Sequence, residues 1–327
     1  MNLSDPIARI LAEYPAVVLD GAMATELERR GYNLNDTLWS AKLLQEDPQA
    51  IYDVHYDYFK AGADCAITCS YQASVEGFSA KGIDAKTAKA LIQLSVQLAL
   101  EARVDFWREL QLDTNHVHIN ANHLKRPMPF VAASVGPYGA FLADGSEYKG
   151  CYGVSNARLR EFHAQRIEWL LEAGADLLAF ETMSSMPEVH VLAQLLQTHP
   201  NAYAWFSFST KDGTHLCDGT PLEDAVHLLN DLPQVSAVGV NCTATENVLP
   251  AIATLKAATD KPILVYPNSG ETYDAATKTW HSPACGALDF AELARQWYEA
   301  GARLIGGCCR TKPSDIAQVA RVLRAGS

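Results

Sequence analysis

The sequence predicts an α/β protein, a single-domain TIM-type (β/α)8 barrel across residues 1–327, and three observations indicate this fold. Eight nearly continuous apolar bursts, typical of strands buried on both faces, occur along the chain with helical periodicity between most of them. A helix–turn–strand pattern also repeats three times. Finally, no Gly-x-Gly-x-x-Gly follows the first strand, which disfavours a doubly wound dinucleotide-binding sheet.

The apolar bursts locate the strands, and the periodic segments between them locate the helices. The strands are predicted at residues 17–22, 65–70, 130–136, 177–182, 205–210, 238–242, 263–266 and 304–308. The clearest helical segments are residues 51–60, 87–109, 159–172, 225–229 and 290–300. Eight strands that alternate with helices fit a closed barrel better than an open sheet.

The repeated pattern joins the end of a helix to the start of a strand through Ala-Gly-Ala. Its copies are FKAGADCAITC, LEAGADLLAFET and YEAGARLIGGCC, at residues 59–69, 171–182 and 298–309. Each central glycine fits the position just past a helix end, where a positive φ costs glycine little. Each copy is therefore half of a parallel-sheet unit.

The segments between helices and strands divide between the two ends of the barrel. Residues 136–153 and 266–286 each follow a strand and are predicted as long loops at the catalytic face. The polar segment 111–129 precedes a strand and belongs to the opposite face. It contains three histidines at a spacing that suits metal ligands, but a solvated loop is the favoured interpretation; they are His116, His118 and His123.

Charge and composition limit the classes of function. The chain has 26 lysines and arginines and 38 aspartates and glutamates, which gives a formal net charge of −12. Its mean hydropathy is −0.07. Because nucleic-acid binders neutralise phosphates with cations, no nucleic-acid partner is expected. No apolar run of about 18 residues or signal peptide is evident, so we expect a cytoplasmic protein without membrane contact, monomeric or a small homo-oligomer. The eight cysteines are then expected as thiols.

Chemistry-bearing residues stand at the carboxyl ends of several predicted strands, where barrel enzymes place their active sites. Cys242 ends the sixth strand, and Cys308 and Cys309 end the eighth. Only the seventh strand separates the sixth and eighth strands in the ring, so the three thiols should converge. Flexible backbone at Gly306 and Gly307 would help both vicinal cysteines to turn inward. Three thiolates suit a tetrahedral Zn²⁺ with one open position, whereas buried structural thiols are the alternative.

A zinc ion held by three thiolates has a definite chemical use. A small substrate thiol has a pKa of about 8.5, and coordination to zinc deprotonates it, which favours alkyl transfer to sulfur over hydrolysis. Asp20 and Glu181 end the first and fourth strands and could hold the ammonium group of an amino-acid substrate. Helix capping is the alternative role for either carboxylate.

With these residues identified, the sequence resembles the homocysteine S-methyltransferase family, and most closely its short single-domain members that use S-methylmethionine. The matching motifs run in the family's order over residues 17–323: LDGAM at 19–23 with ELERRG at 26–31, ETM at 181–183, GVNC at 239–242 and GGCC at 306–309. The resemblance implies a barrel enzyme that forms methionine, with zinc on Cys242, Cys308 and Cys309.

The resemblance also implies how the acceptor is bound. The amino group of homocysteine would meet Asp20 and Glu181, and its carboxylate would meet backbone near Gly21 and Ala22 and near residues 71–73, which begin with Tyr71. Asn241 could supply an oxygen to zinc when substrate is absent, or could cap a turn.

The resemblance is less specific about the residues that bind the methyl donor. Trp39 looks like the counterpart of a tryptophan that faces the cationic donor in betaine-using members, although core packing is an equal alternative. Contacts after the seventh strand are also conceivable, from Tyr266, Asn268 and Glu271.

The length of the chain limits the candidate methyl donors, and other functions remain as alternatives. A chain of 327 residues has no room for cobalamin and folate modules and lacks the C-terminal extension of betaine-using members. We therefore expect S-methylmethionine first, S-adenosylmethionine second, and no use of betaine. A zinc–thiolate barrel that stores metal or senses oxidation without moving a methyl group is the alternative. A Schiff-base aldolase is disfavoured because the nearest lysine to a predicted strand end is Lys211.

Overall fold

Eight parallel strands form the wall of the barrel in this computed structural model, which describes residues 4–116, 126–270, 272–274, 279–281 and 289–325. The wall strands are β1 (Val17–Val18), β2 (Cys65–Ile67), β3 (Phe130–Val135), β4 (Leu177–Met183), β5 (Ala204–Phe208), β6 (Val235–Asn241), β7 (Ile263–Tyr266) and β10 (Ala302–Ile305). Between β7 and β10, β8 (Thr272–Asp274) and β9 (Thr279–His281) pair as an antiparallel ribbon. The wall order is β1-β10-β7-β6-β5-β4-β3-β2, so each strand lies beside its neighbour in the chain and β1 returns to β10.

Helices alternate with these strands as predicted. They are α1 (Pro6–Leu11), α2 (Met23–Arg29), α3 (Leu43–Glu46), α4 (Pro48–Ala61), α5 (Val75–Ala80), α6 (Ala85–His116), α7 (Tyr138–Leu142), α8 (Asn156–Glu172), α9 (Met186–Gln197), α10 (Leu222–Asn230), α11 (Val248–Ala258), α12 (Phe290–Ala300) and α13 (Pro313–Arg324). None of the helices in the described ranges is both long and apolar enough to span a bilayer.

The predicted (β/α)8 barrel is confirmed, with differences at element ends. Each of the eight apolar bursts overlaps a wall strand, and the five periodic segments lie within α4, α6, α8, α10 and α12. The polar segment 111–129 was predicted as a loop, but α6 continues through its first six residues to His116. Its His118 and His123 lie outside the described residues. The long loop predicted after β7 contains the short β8–β9 ribbon.

The three repeated glycines have the backbone conformation that the sequence predicts. Gly62, Gly174 and Gly301 follow α4, α8 and α12 with φ values of 114°, 91° and 130°. Residues with a side chain rarely adopt this region, so glycine at each turn lets the chain leave the helix and enter the next strand directly.

Alternate residues of the strands build two separate layers of core. Residues such as Leu177 and Ala179 of β4 point into the barrel, whereas Leu178 and Phe180 pack outward against the helices. Ile7 and Ile10 of α1 belong to the inner cluster and are almost completely buried, so α1 closes the lower end of the barrel. The barrel interior is therefore a packed core, and its open end is the carboxyl edge of the strands.

Side chains join the edges of β1 and β2, which form the seam of the barrel. The backbone N–H of Val18 donates to Asp64 Oδ2 at 3.0 Å, and that of Asp64 donates to the Val18 carbonyl at 2.7 Å. Nearer the mouth, the N–H of Ile67 donates to Asp20 Oδ2 at 2.8 Å. Arg324 of α13 donates to the buried Asp64 Oδ1 at 2.6 Å, so the last helix anchors the same seam.

Candidate active site

Three thiols converge at the mouth of the barrel. Cys242 follows β6, while Cys308 and Cys309 lie just beyond β10, with β7 between the two strands. The Cys242 Sγ is 2.9 Å from the Cys308 Sγ and 3.6 Å from the Cys309 Sγ, and all three sulfurs lie within 4.8 Å of one another. The three are free, half-buried thiols that could hold a metal ion.

The three thiols shift one another's pKa values. Hydrogen bonds from Cys308 and Cys309 hold the pKa of the Cys242 thiol well below its usual range. The pKa values of Cys308 and Cys309 are raised in turn, because each interacts with the Cys242 thiolate. A cation would be required to make all three sulfurs thiolates together.

Close backbone packing accounts for the two glycines before the vicinal cysteines. A Cβ at Gly306 would lie 2.6 Å from the Leu19 Cβ, and one at Gly307 would overlap the side chain of Thr311. The Gly307 N–H donates to the Asp20 carbonyl at 3.1 Å, which ties this turn to the β1 end. These glycines therefore allow close approach to the first loop.

A hydrogen-bonded polar layer caps the apolar interior and holds Glu181. The Tyr266 hydroxyl donates to Glu181 Oε2 at 3.1 Å, and the Ser134 hydroxyl donates to Glu181 Oε1. Ser207 and Trp205 Nε1 bond the same Tyr266 oxygen at 2.5 and 3.2 Å. Burial raises the pKa of Glu181 to about 7 despite these bonds.

Asp20 is the second buried carboxylate of the mouth. It is 3% exposed, and its Oδ2 accepts the Ile67 N–H of the seam. Burial, together with the charge of Glu181, raises its pKa. In the described part of the chain neither Asp20 nor Glu181 forms an ion pair with a lysine, arginine or histidine.

Asn241 holds the strained end of β4. Its Oδ1 accepts the Thr182 N–H at 2.7 Å, and its Nδ2 donates to the Thr182 hydroxyl at 2.9 Å. Thr182 has a φ of 61° and Cys242 a φ of 49°, a region that costs a residue with a side chain about 1–3 kcal/mol. The strain thus lies beside Glu181 and at the first thiol.

Comparison with known proteins decides the family. The family model for homocysteine S-methyltransferase matches residues 17–323. The chain is 54% identical to homocysteine S-methyltransferase YbgG of Bacillus subtilis over 98% of both chains, and 52% identical to homocysteine S-methyltransferase of Escherichia coli over 97% of this chain and 98% of that one. The chain belongs to the homocysteine S-methyltransferase family.

Solved structures give the same result. The metallated form of homocysteine methyltransferase MmuM from Escherichia coli superimposes with a TM-score of 0.82 at 49% identity, covering 98% of this chain and all of that chain. The sequence-based family assignment is confirmed, and the protein is an enzyme of the homocysteine S-methyltransferase family.

Trp39, expected on the donor side of this methyltransferase, lies beside Tyr71, which was expected near the carboxylate of the acceptor. The rings of Trp39 and Tyr71 meet edge to face with centroids 6.0 Å apart. Trp39 is partly buried and has a φ of 49°, so the turn at the start of its short 3-10 helix is strained. Tyr71 packs on Gly136, where a Cβ would lie 2.7 Å from its ring.

The remaining predicted residues have varied surroundings. The Ala22 N–H donates to Thr311 Oγ1 at 3.2 Å, and a Cβ at Gly21 would lie 2.8 Å from the Tyr58 hydroxyl oxygen. Tyr266 is engaged with Glu181 in the polar layer. Asn268 Oδ1 is buried without a hydrogen-bond partner among the described residues. Glu271 lies outside them.

The sequence did not single out two residues that the methyltransferase brings to its mouth. Residues 136–153, the β3–α8 loop, cross from β3 to the opposite wall, where the Tyr148 hydroxyl lies 3.8 Å from the Cys242 Sγ. The Tyr71 hydroxyl donates to Glu147 Oε2 at 3.0 Å. Burial and the Cys242 thiolate raise the pKa of Glu147 to about 7. The only sequence signal was that this loop follows a strand.

A buried network of the methyltransferase holds the start of this loop. Glu188 Oε1 accepts the Tyr138 N–H at 2.6 Å and lies 2.7 Å from His163 Nε2. Arg166 donates to His163 Nδ1 at 2.9 Å and to the Gly136 carbonyl. Since arginine has only donors, His163 is neutral and carries its proton on Nε2. The network fixes the loop where it leaves β3.

Proposed function

We propose that this enzyme transfers a methyl group from a small sulfonium donor to the sulfur of homocysteine, forming methionine, with Zn²⁺ on Cys242, Cys308 and Cys309. The observation that carries the proposal is the convergence of three thiols within 4.8 Å beside two buried carboxylates. S-Methylmethionine is the first donor and S-adenosylmethionine the second. This site combines a thiolate-binding metal position with a place for an amino-acid ammonium group.

The cysteine cluster fits zinc in donor type and number. A zinc–sulfur distance of about 2.3 Å in a tetrahedron separates the sulfurs by about 3.8 Å. The Cys242–Cys309 separation of 3.6 Å is close to this value, whereas the Cys242–Cys308 pair, at 2.9 Å, would open by about 0.9 Å. When bound, Zn²⁺ would lower the pKa of the homocysteine thiol so that the acceptor is a thiolate at neutral pH. The metallated form of the Escherichia coli relative supports the presence of a metal ion in the proposed enzyme.

Asp20 and Glu181 would bind the ammonium group of homocysteine. Each carboxylate oxygen that accepts one hydrogen bond from the protein can still accept another. The polar layer fixes Glu181, and the seam fixes Asp20, so little conformational entropy remains to be lost on binding. The carboxylate of homocysteine would then meet backbone near Gly21 and Ala22 and near Tyr71, although the Ala22 N–H already bonds Thr311.

The reaction needs alignment more than acid–base chemistry. The thiol proton of homocysteine leaves to solvent, and a sulfur lone pair forms the new bond to the methyl carbon. The bond between that carbon and the donor sulfur breaks, and its electron pair remains on the donor, which leaves as a neutral thioether. No general acid is required, and the residues of the mouth act by holding the reactants in line.

Asn241 and the aromatic pair have supporting roles in this proposal. Asn241 would position Glu181 through its two bonds to Thr182. Trp39 and Tyr71 would present aromatic surface to the sulfonium cation, an interaction that favours small onium groups. Tyr148, which lies over Cys242, would limit the space for a bulky donor.

A labelled competition assay tests the function and the donor together. Zinc-reconstituted enzyme receives ¹⁵N-homocysteine with equal concentrations of S-methylmethionine, deuterated in both S-methyl groups, and unlabelled S-adenosylmethionine. We expect ¹⁵N-methionine that carries mainly a deuterated methyl group, and none when betaine is the only donor. Mainly undeuterated ¹⁵N-methionine would reverse the donor order. Zinc-loaded protein that forms no ¹⁵N-methionine would instead act as a metal store or redox sensor.

A further inference from the structure

The β3–α8 loop holds Glu147 at a fixed position over the mouth. Gly139 packs directly beneath it, since a Cβ there would lie 2.6 Å from the Glu147 backbone nitrogen. Gly136 supports Tyr71 in the same way, and the Tyr71 hydroxyl bonds the Glu147 carboxylate. Close backbone packing on one side and a hydrogen bond on the other therefore define where this charge lies.

Glu147 lacks the cation that comparable carboxylates of this chain possess. Partly buried Glu76 pairs with Arg158 at 2.8 Å, and Asp176 pairs with Arg103 at 2.7 Å. Glu147 is also partly buried, yet no lysine, arginine or histidine of the described ranges forms an ion pair with it. A carboxylate that is withdrawn from water without a partner favours binding of a cation from outside.

Two tyrosines adjoin Glu147, one through a hydrogen bond and one in the chain. Tyr71 contacts both Glu147 and Trp39. Its hydroxyl donates to the Glu147 carboxylate, and its ring centroid is 6.0 Å from that of Trp39. Tyr148 follows Glu147 in the chain, is 44% exposed, and reaches towards Cys242 with its hydroxyl. A carboxylate among aromatic rings is a suitable environment for a cation that has no N–H donors, since both the charge and the ring faces attract it.

From this geometry we infer that Glu147 is the counter-ion of the donor sulfonium, with Tyr71 as its positioning residue. The inference rests on the proposed function and adds a residue to its donor side. Asp20 and Glu181 lie deeper and serve the acceptor ammonium, whereas Glu147 lies on the loop above the thiols. The mouth thus has separate carboxylates for the acceptor ammonium and the donor sulfonium.

The donor sulfonium loses its positive charge during the reaction, and this determines which kinetic constant depends on Glu147. The donor sulfur is cationic in the bound substrate, partly cationic in the transition state and neutral in the leaving thioether. A nearby carboxylate therefore stabilises the bound donor at least as much as the transition state, so it lowers the donor KM without raising kcat. The same attraction disappears after transfer, which favours release of the thioether.

Glu147→Gln tests the inference, with Asp144→Asn as the matched control. Asp144 is an exposed carboxylate of the same loop that accepts the Ser146 N–H, which asparagine can also do. We expect Glu147→Gln to raise the KM for S-methylmethionine roughly tenfold or more, as loss of a charge-assisted contact does. The homocysteine KM and kcat should stay within about twofold of wild type, and Asp144→Asn should resemble wild type in all three.

Calorimetric binding of methionine separates the sulfonium from the ammonium group, because methionine has the ammonium and lacks the sulfonium. Glu147→Gln should weaken S-methylmethionine at least fivefold more than methionine. Equal weakening of both ligands would overturn the inference and assign Glu147 to the ammonium. A wild-type donor KM in the variant would overturn it while leaving the proposed function intact. Wild-type enzyme that transfers no methyl group from any sulfonium would overturn both.

Discussion

Asn241 and Thr182, which end two strands separated by β5, are joined by two hydrogen bonds between the amide of one and the backbone and hydroxyl of the other. The pair holds a residue with positive φ at a point where the register between β4 and β5 shifts. Glu181 immediately precedes this turn. The direction of its carboxylate therefore depends on a contact made from two strands away.

Asn241→Ala should weaken acceptor binding without removing the metal. The substitution leaves the Thr182 N–H unsatisfied, so we expect a loss of about 1–3 kcal/mol in the free energy of unfolding and a raised KM for homocysteine. Asn230→Ala, which removes two hydrogen bonds to Ala258 and Thr259 far from the mouth, is the control. It should lower stability and leave KM unchanged. Equal KM values in the two variants would argue against a positioning role.

Alanine at any of the three clustered cysteines should remove most of the bound zinc. In the proposed site each of Cys242, Cys308 and Cys309 would supply one of three protein ligands, and two ligands hold zinc poorly. Metal analysis after reduction and reconstitution should find about one zinc per chain in the wild type. Cys217→Ala is the matched control, because this half-buried thiol lies outside the cluster and bonds the Ser209 carbonyl. Full zinc content in a cluster variant would exclude that residue as a ligand.

Asp20→Asn and Glu181→Gln should each raise the homocysteine KM while zinc content stays near that of the wild type. A charge-assisted hydrogen bond to an ammonium group contributes roughly 1.5–3 kcal/mol, which corresponds to about 10- to 150-fold in affinity. Asparagine at position 20 can still accept the Ile67 N–H, so the seam is retained. Unchanged acceptor binding in both variants would assign these carboxylates a structural role.

Buried histidines should make the fold sensitive to mild acid. Burial lowers the pKa of His55 to about 3, and burial with the Arg166 charge lowers that of His163 to about 4. The unfolded chain binds these protons near pH 6.5, whereas the folded protein does not until pH 3–4. Stability is therefore full above pH 6.5 and decreases as the pH falls, by about 1.4 kcal/mol per unit for each histidine.

His55→Leu isolates one of these two contributions. Neither ring nitrogen of His55 has a hydrogen-bond partner among the described residues, so no network is broken. Urea denaturation at pH 7.5 and 5.0 should show a stability difference smaller by about 2 kcal/mol than that of the wild type. His227→Gln, at an exposed site on α10, should keep the wild-type difference. An unchanged difference in His55→Leu would mean that His55 binds its proton over the same pH range in the folded and unfolded protein, and would contradict the lowered pKa.

The parts of the site that were predictable are those that follow from strand periodicity. Inward positions of β4 alternate through Leu177 and Ala179 to Glu181, and strand ends in a barrel meet at one edge, so convergence of the cysteines followed from pattern alone. Glu147 could not be located in this way, because it lies in a 3-10 helix of three residues, Ser146–Tyr148, which is too short to have a recognisable period. Its position depends on a glycine that accepts close packing and on a buried network contributed by two helices.

The reason for the two glycines before the vicinal cysteines could not be predicted from the sequence either. Gly306 and Gly307 were expected to provide a flexible bend, but they have no positive φ and instead permit contact with Leu19 and Thr311. Likewise, Asp20 was identified as a carboxylate at a strand end, and its bond to Ile67 across the seam had no local signal. Contacts between distant segments depend on tertiary packing, which periodicity does not describe.

Homocysteine bound at Asp20 would also stabilise the seam between β1 and β2. Asp20 is part of the junction between β1 and β2, and its buried carboxyl group has no cationic partner among the described residues. An ammonium group bound there would supply the missing positive charge to the junction itself. Because a ligand that binds only the folded state stabilises it by mass action, occupancy of the acceptor site and cohesion of the barrel edge would rise and fall together. Homocysteine would thus act as a structural component of the barrel wall until methyl transfer is complete.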